Sequence, residues 1–145
     1  MALSHQEVVS QWINHPSREA KGFAMFYEQS IIYSWGKHFP IARTMIKNGR
    51  RIALFTTGTY SSSTAKHKSC VRYGLVRADI KTFTVPLVLH ESEKAQAFNV
   101  ESYKERIKEQ VEKSLRARKY KAFHMEAAQR LQAEMMEYAR IFSEE

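Results

Sequence analysis

After Pro86 this chain has no glycine and no proline through to Glu145. Those two residues are the strongest breakers of helices, one through its freedom at φ and the other through its missing N–H. A stretch of that length, rich in Glu, Lys, Arg, Ala, Gln and Met, is therefore predicted to be mostly helix. Tyr103, Ile107, Val111 and Leu115 recur four apart, and Phe123, Ala127, Leu131, Met135, Tyr138 and Phe142 continue the stripe. Glu101, Glu105 and Glu109 alternate with Lys104 and Lys108 on a mixed-charge face suited to water. "RARKYK" at 116–121 is the expected break, giving a helix pair. A single long helix pairing with a second copy is the competing picture.

The first 90 residues read differently. Ser4 and Glu7 form a capping box ahead of Val8, Val9, Trp12 and Ile13, with Pro16 at the exit, so a short N-terminal helix is expected. From Gly22 to Thr57 the chain runs in short aromatic and β-branched segments, "GFAMFYEQ", "SIIYSWG", "HFPIARTMI" and "RRIALFTTG". Asn48-Gly49 marks a tight hairpin, because both residues accept positive φ. Pro40 places its strand at an edge or interrupts it there. A helix is expected over "AKHKSCVRYGLVRA", weakened by Gly74, and a further strand over "KTFTVPLVLH", where Pro86 again points to an edge. The expected fold is α+β: a small antiparallel sheet of four to five strands, an N-terminal helix, a helix after the central hairpins, and a helical C-terminal region. Residues 1–90 form a basic α+β domain and 91–145 a helical region packed on it or self-associating.

Charge follows the same boundary. The net charge is +8, yet residues 91–145 carry 11 Lys/Arg against 11 Glu. Residues 1–90 hold 12 Lys/Arg against four acids, Glu7, Glu19, Glu28 and Asp79. The whole excess therefore lies in the N-terminal part, which favours a polyanionic partner such as nucleic acid or a nucleoprotein. A single cysteine, Cys70, excludes an internal disulfide and a multi-thiolate zinc site. The start "MALSHQEVVSQW" lacks the basic head and apolar run of a signal peptide, and no apolar run spans a bilayer, so a cytoplasmic protein without a membrane partner is expected.

The stretch richest in chemistry is "YSSSTAKHKS", residues 60–69. Ser61, Ser62, Ser63 and Thr64 precede Lys66, His67 and Lys68, at the start of the predicted helix. Any one hydroxyl there serves as an N-cap. Four exceed what a cap uses, and a helix N-terminus with lysines nearby can hold a phosphate. Lys68 and Arg72 stand at i, i+4, where a phosphate backbone would run along one face. Thr64 and His67 lie one turn apart, and His38 in "SWGKHFPIA" either faces them or, the favoured reading, is a satisfied, partly buried histidine. A cap, an anion-contacting cap and a nucleophilic site all remain open at this stage.

No Walker-type glycine loop occurs, and the six histidines show no HxH or HExxH spacing, so neither a metal nor a cofactor is expected. Four acids before residue 90 leave few candidates for a carboxylate pair. Tyr33, Trp35 and Phe39 interleave with basic residues as base-stacking rings do. Strand alternation puts Tyr33 and Trp35 on one face, and core packing is the expectation for most of these rings.

"YSWGKHFPIA" followed by "TYSSSTAKH" resembles a family of small phage and mobile-element proteins with a "YSxGxHFPIA … YSxxTxxH" pattern. The matching positions are Tyr33, Ser34, Gly36, His38, Phe39, Pro40, Ile41 and Ala42, then Tyr60, Ser61, Thr64 and His67. Trp35 departs from the pattern, where a smaller ring is expected. The resemblance covers residues 25–75, carries no activity, and implies a phage origin. Similar small phage proteins bind host defence or replication machinery.

The functional expectation is a non-enzymatic phage accessory protein that contacts nucleic acid or a host nucleoprotein complex through its basic N-terminal part. A counter-defence inhibitor of a CRISPR-type effector belongs to this class. The expected anion- or nucleic-acid-binding residues are Ser61, Ser63, Thr64, Lys66, His67, Lys68, Arg72, His38, Arg43, Arg50 and Arg51, with no catalytic residue and with homodimerisation through the C-terminal helices. The alternative is a small enzyme or ligand-binder for phosphate-containing nucleotides, with Ser61, Thr64, His67 and His38 around the phosphate.

Overall fold

The computed structural model describes residues 3–59 and 61–143. Tyr60, part of the "TYSSSTAKH" segment, lies outside the described residues. The chain divides into two compact units, Met1–Leu89 and His90–Glu145.

In the first unit, α1 (His5–Asn14) opens with the expected box: Glu7 N–H donates to Ser4 Oγ, and Ser4 N–H to Glu7 Oε1. Five strands follow as an antiparallel meander: β1 (Ala20–Lys21), β2 (Met25–Glu28), β3 (Ile31–Ser34), β4 (Pro40–Lys47) and β5 (Arg50–Thr56). Helix α2 (Ser62–Arg77) then crosses to β6 (Lys81–Val85), which pairs with β5 in parallel. The sheet therefore has six strands in the order β1-β2-β3-β4-β5-β6 among the described residues, not four to five. The two-residue β1 was too short to show in the pattern. The β5–α2–β6 crossover makes β5 and β6 a parallel pair in a sheet expected to be antiparallel, as a connection containing a 16-residue helix allows.

The turns explain the register. Asn48 and Gly49 both take positive φ, 55° and 73°, as the hairpin signal required. Gln29 and Ser30 do the same at 52° and 69° without a glycine. Tertiary bonds hold that second turn: Trp12 Nε1–H donates to Ser30 O at 2.8 Å, and Ser30 N–H donates to Pro16 O at 3.1 Å. Pro40 opens β4 opposite Tyr33, where its missing N–H costs least, and a bulge follows at Ile41. The bulge breaks alternation, so Ile41 and Ala42 both enter the core.

Both helices of this unit pack on one face of the sheet. Val8, Val9 and Trp12 of α1 and Val71 and Leu75 of α2 meet Met25, Tyr27, Ile32, Ala53 and Phe55. Gly74 does not interrupt α2; it lets the two helices approach. A Cβ there would lie 2.5 Å from Val9 Cγ1 and 3.0 Å from Ile13 Cδ1. Ile52 and Leu54, on the opposite face of β5, are equally buried, so this strand is central in both senses.

In the second unit, α3 (Glu93–Arg116) and α4 (Lys121–Ser143) form the helix pair, separated at Ala117–Tyr120 as expected. The predicted stripe is buried only toward its ends. Tyr103, Tyr138 and Phe142 are core, whereas Leu115 and Phe123 are exposed. Buried polar groups fill the seam: Asn99 Nδ2 donates to Tyr138 Oη at 2.9 Å, and Tyr103 Oη donates to Glu134 Oε2 at 2.5 Å. Burial, and then the Glu134 carboxylate, push the Tyr103 hydroxyl far above the usual tyrosine range, so it remains a donor. Among the described residues no helix is long and apolar enough to cross a membrane.

Candidate anion site at the α2 N-terminus

The hydroxyl run resolves into two roles. Ser61 is the N-cap, its Oγ accepting from Thr64 N–H at 3.2 Å. Thr64 points inward and is fully buried, as are Ser34 at the end of β3 and, to 3% exposure, His67. These side chains form one hydrogen-bonded series. Ser61 Oγ donates to Thr64 Oγ1 (3.2 Å), Thr64 Oγ1 lies 3.3 Å from Ser34 Oγ, and Ser34 Oγ lies 2.6 Å from His67 Nδ1. A single direction of donation satisfies the whole series: Thr64 to Ser34, then Ser34 to Nδ1 of a neutral His67. Burial, with His5 stacked edge-on at 4.6 Å, holds His67 below the usual histidine range and so favours that neutral form.

Ser34, a matching position of the resemblance but not among the expected binding residues, makes the contact that had been expected of His38. Serine at 34 ends a β-strand with its side chain on the helix-bearing face, opposite Met25. His38 is exposed in the following turn, its ring close against Gly36. A serine bonded to a histidine is the beginning of a nucleophilic site. Here both side chains are buried. The arrangement pins α2 to β3.

The remaining predicted residues separate. Lys66 and Ser62 are exposed and Ser63 half-buried on the first turns of α2. Arg43 lies on the sheet face opposite the helices, where its Nη1 donates to Leu89 O at 3.3 Å. Arg50 is exposed beside the Asn48-Gly49 turn. Arg51 is half-buried, with Nη2 unpartnered and its basicity lowered by burial. These cations do not form one stripe.

Lys68 and Arg72 do converge. They flank a 260 Å³ cleft lined by Phe55, Thr59, Ala65, Lys68, Ser69 and Arg72. Arg72 Cζ stands 4.2 Å above the centroid of the Phe55 ring and Lys68 Nζ 5.5 Å from it. Lys68 Nζ donates to Gly58 O at 2.6 Å, and Arg72 Nη2 to Thr84 Oγ1 at 3.1 Å. Among the described residues neither has a carboxylate partner. Burial, and then the charge of Arg72, push Lys68 below the usual lysine range. The cleft sits at the carboxyl end of β5, beside its parallel neighbour β6, which is where open sheets with crossover helices take ligands. Sequence spacing found the two cations; Phe55 and the parallel edge could not be read from it. No group of three metal-binding side chains occurs among the described residues. No protein-family model, no curated protein and no solved structure matches this chain.

Proposed function

We propose that the first unit binds a polyanion, a nucleic acid or a host nucleoprotein complex, at the cleft between α2 and β6. The observation that carries this reading is the pair Lys68 and Arg72, held over Phe55 with no carboxylate partner among the described residues. Two like charges held close and partly desolvated raise the energy of the empty cleft, and a phosphate entering it relieves both effects. Ser69 and Thr59 add hydroxyls at the rim. An open cleft of 260 Å³ suits one phosphate of a chain passing across it better than an enclosed nucleotide. The excess of 12 Lys/Arg over four acids in residues 1–90 supplies the long-range attraction.

The resemblance over residues 25–75 supports a phage accessory protein acting in the cytoplasm of a host cell. In that setting the bound surface belongs to defence or replication machinery, and a counter-defence inhibitor of a CRISPR-type effector is one form it takes. Helices α3 and α4, charge-balanced and with Leu115 and Phe123 exposed, support homodimerisation. The test is equilibrium binding to mixed-sequence DNA and RNA across a salt series. Affinity that falls steeply and log-linearly with salt supports the reading; no binding at low salt overturns it.

A further inference from the structure

Phe23 and Trp35 form an exposed edge-to-face pair in the first unit. Phe23 is 84% exposed and Trp35 52%, with ring centroids 6.2 Å apart at 73°. Alternation along β3 would have turned Trp35 to the face of Tyr33. Instead Trp35 takes φ 68°, a left-handed backbone that a bulky side chain rarely adopts, and its ring swings toward His67 at 6.0 Å. Its N–H donates to Ala24 O at 2.7 Å, and the His67 beside it is fixed by Ser34. The backbone at Trp35 is therefore fixed by its own N–H, and about half of the residue's surface meets water. Core packing needs neither the exposure nor the unusual backbone.

The charges flanking this pair in sequence are positive. Lys21 precedes Phe23, Lys37 follows Trp35, and Lys66 neighbours His67, all three exposed. Glu28 pairs with Lys37 at 2.6 Å, which leaves Lys21 and Lys66 as the flanking cations, and across residues 1–90 12 Lys/Arg stand against four acids. Exposed rings on a unit with this excess of cations match a ligand that carries π-faces along a polyanionic backbone. We infer that Phe23 and Trp35 are a base-stacking platform, and that the polyanion is single-stranded nucleic acid with unpaired bases. This rests on the polyanion reading above and adds the strandedness of the ligand.

The two tryptophans make the test direct, because Trp12 is buried with its indole N–H on Ser30 O, whereas Trp35 meets solvent. Intrinsic fluorescence is followed while the full chain is titrated with an oligothymidylate, an abasic oligonucleotide of equal phosphate number, and a duplex. The expected result is quenching by the oligothymidylate, with affinity about tenfold above that of the abasic strand. Trp35→Ala, and separately Phe23→Ala at its solvent-facing position, both read by the anisotropy of end-labelled oligonucleotides because Trp35 is itself the fluorescent reporter, should remove that preference and leave duplex binding unchanged. Equal affinity for abasic and base-bearing strands, or a preference that survives both substitutions, overturns the platform while the polyanion reading stands. Failure of all three ligands to bind at low salt overturns both. Quenching that follows protein concentration without any oligonucleotide assigns the rings to a second copy of the chain and overturns the platform.

Discussion

Ser34 Oγ lies 2.6 Å from His67 Nδ1, across 33 residues of sequence, with both side chains buried. This contact fastens β3 to α2 and ends the hydroxyl series that begins at the helix cap. Removing the serine hydroxyl leaves a buried ring nitrogen without its donor, the costly direction in which to break a hydrogen bond. Ser34→Ala is expected to lower unfolding stability by about 1–3 kcal/mol, read from urea denaturation. A loss below about 0.5 kcal/mol, the usual scale of a surface substitution, would show that the series has no structural weight.

His67 also links stability to pH. Its folded pKa is depressed by burial and by His5, whereas in the unfolded chain histidine titrates near about 6.5. Between those values the unfolded chain binds more protons than the folded one. The contribution is therefore complete above the unfolded pKa and is lost as pH falls through the folded one. Denaturation midpoints should drop between about pH 7.5 and about pH 5.5, and His67→Gln should flatten that drop. Parallel profiles for the two proteins would assign the pH dependence elsewhere.

Gly74 sits in a helix interior, where alanine is ordinarily better by about 1 kcal/mol. Here the added methyl would meet Val9 Cγ1 at 2.5 Å, and valine has little rotamer freedom with which to yield. Gly74→Ala is expected to destabilise by about 1–3 kcal/mol, with a lower thermal midpoint. An unchanged or raised midpoint would mean that α1 moves aside freely.

Within the second unit, Tyr103 Oη bonds the Glu134 carboxylate inside the α3–α4 seam. Tyr103→Phe keeps the ring and deletes that charge-assisted bond, at an expected cost of about 1.5–3 kcal/mol. Hydrogen exchange of α3 and α4 amides should accelerate accordingly. Unchanged exchange would show that Glu134 rehydrates without penalty.

What the sequence revealed, and what it withheld, divides along physical lines. Local signals were legible: the Ser4–Glu7 box, the Asn48-Gly49 turn, the break at 117–120, and a helix pair from a glycine- and proline-free tail. Each is encoded within a few residues. The parallel direction of β6, the left-handed Gln29-Ser30 turn held by Trp12 and Pro16, and the backbone of Trp35 are set by tertiary contacts that no local pattern carries. The same holds at the site. Thr64 and His67 stood out by spacing, but their partner Ser34 ends a distant strand, and Phe55 beneath Lys68 and Arg72 looked like any strand aromatic.

Polyanion binding at the α2–β6 cleft is tested most directly by the salt slope of affinity. Each phosphate contact contributes about 0.7 to 0.9 to the slope of log K against log salt. Lys68→Gln with Arg72→Gln removes both charges and keeps amide donors for Gly58 O and Thr84 Oγ1. The slope should fall by roughly 1.4 to 1.8 relative to wild type, and Lys104→Gln with Lys108→Gln in the second unit should leave it unchanged. An unaltered slope in the Lys68/Arg72 variant would contradict binding at this cleft.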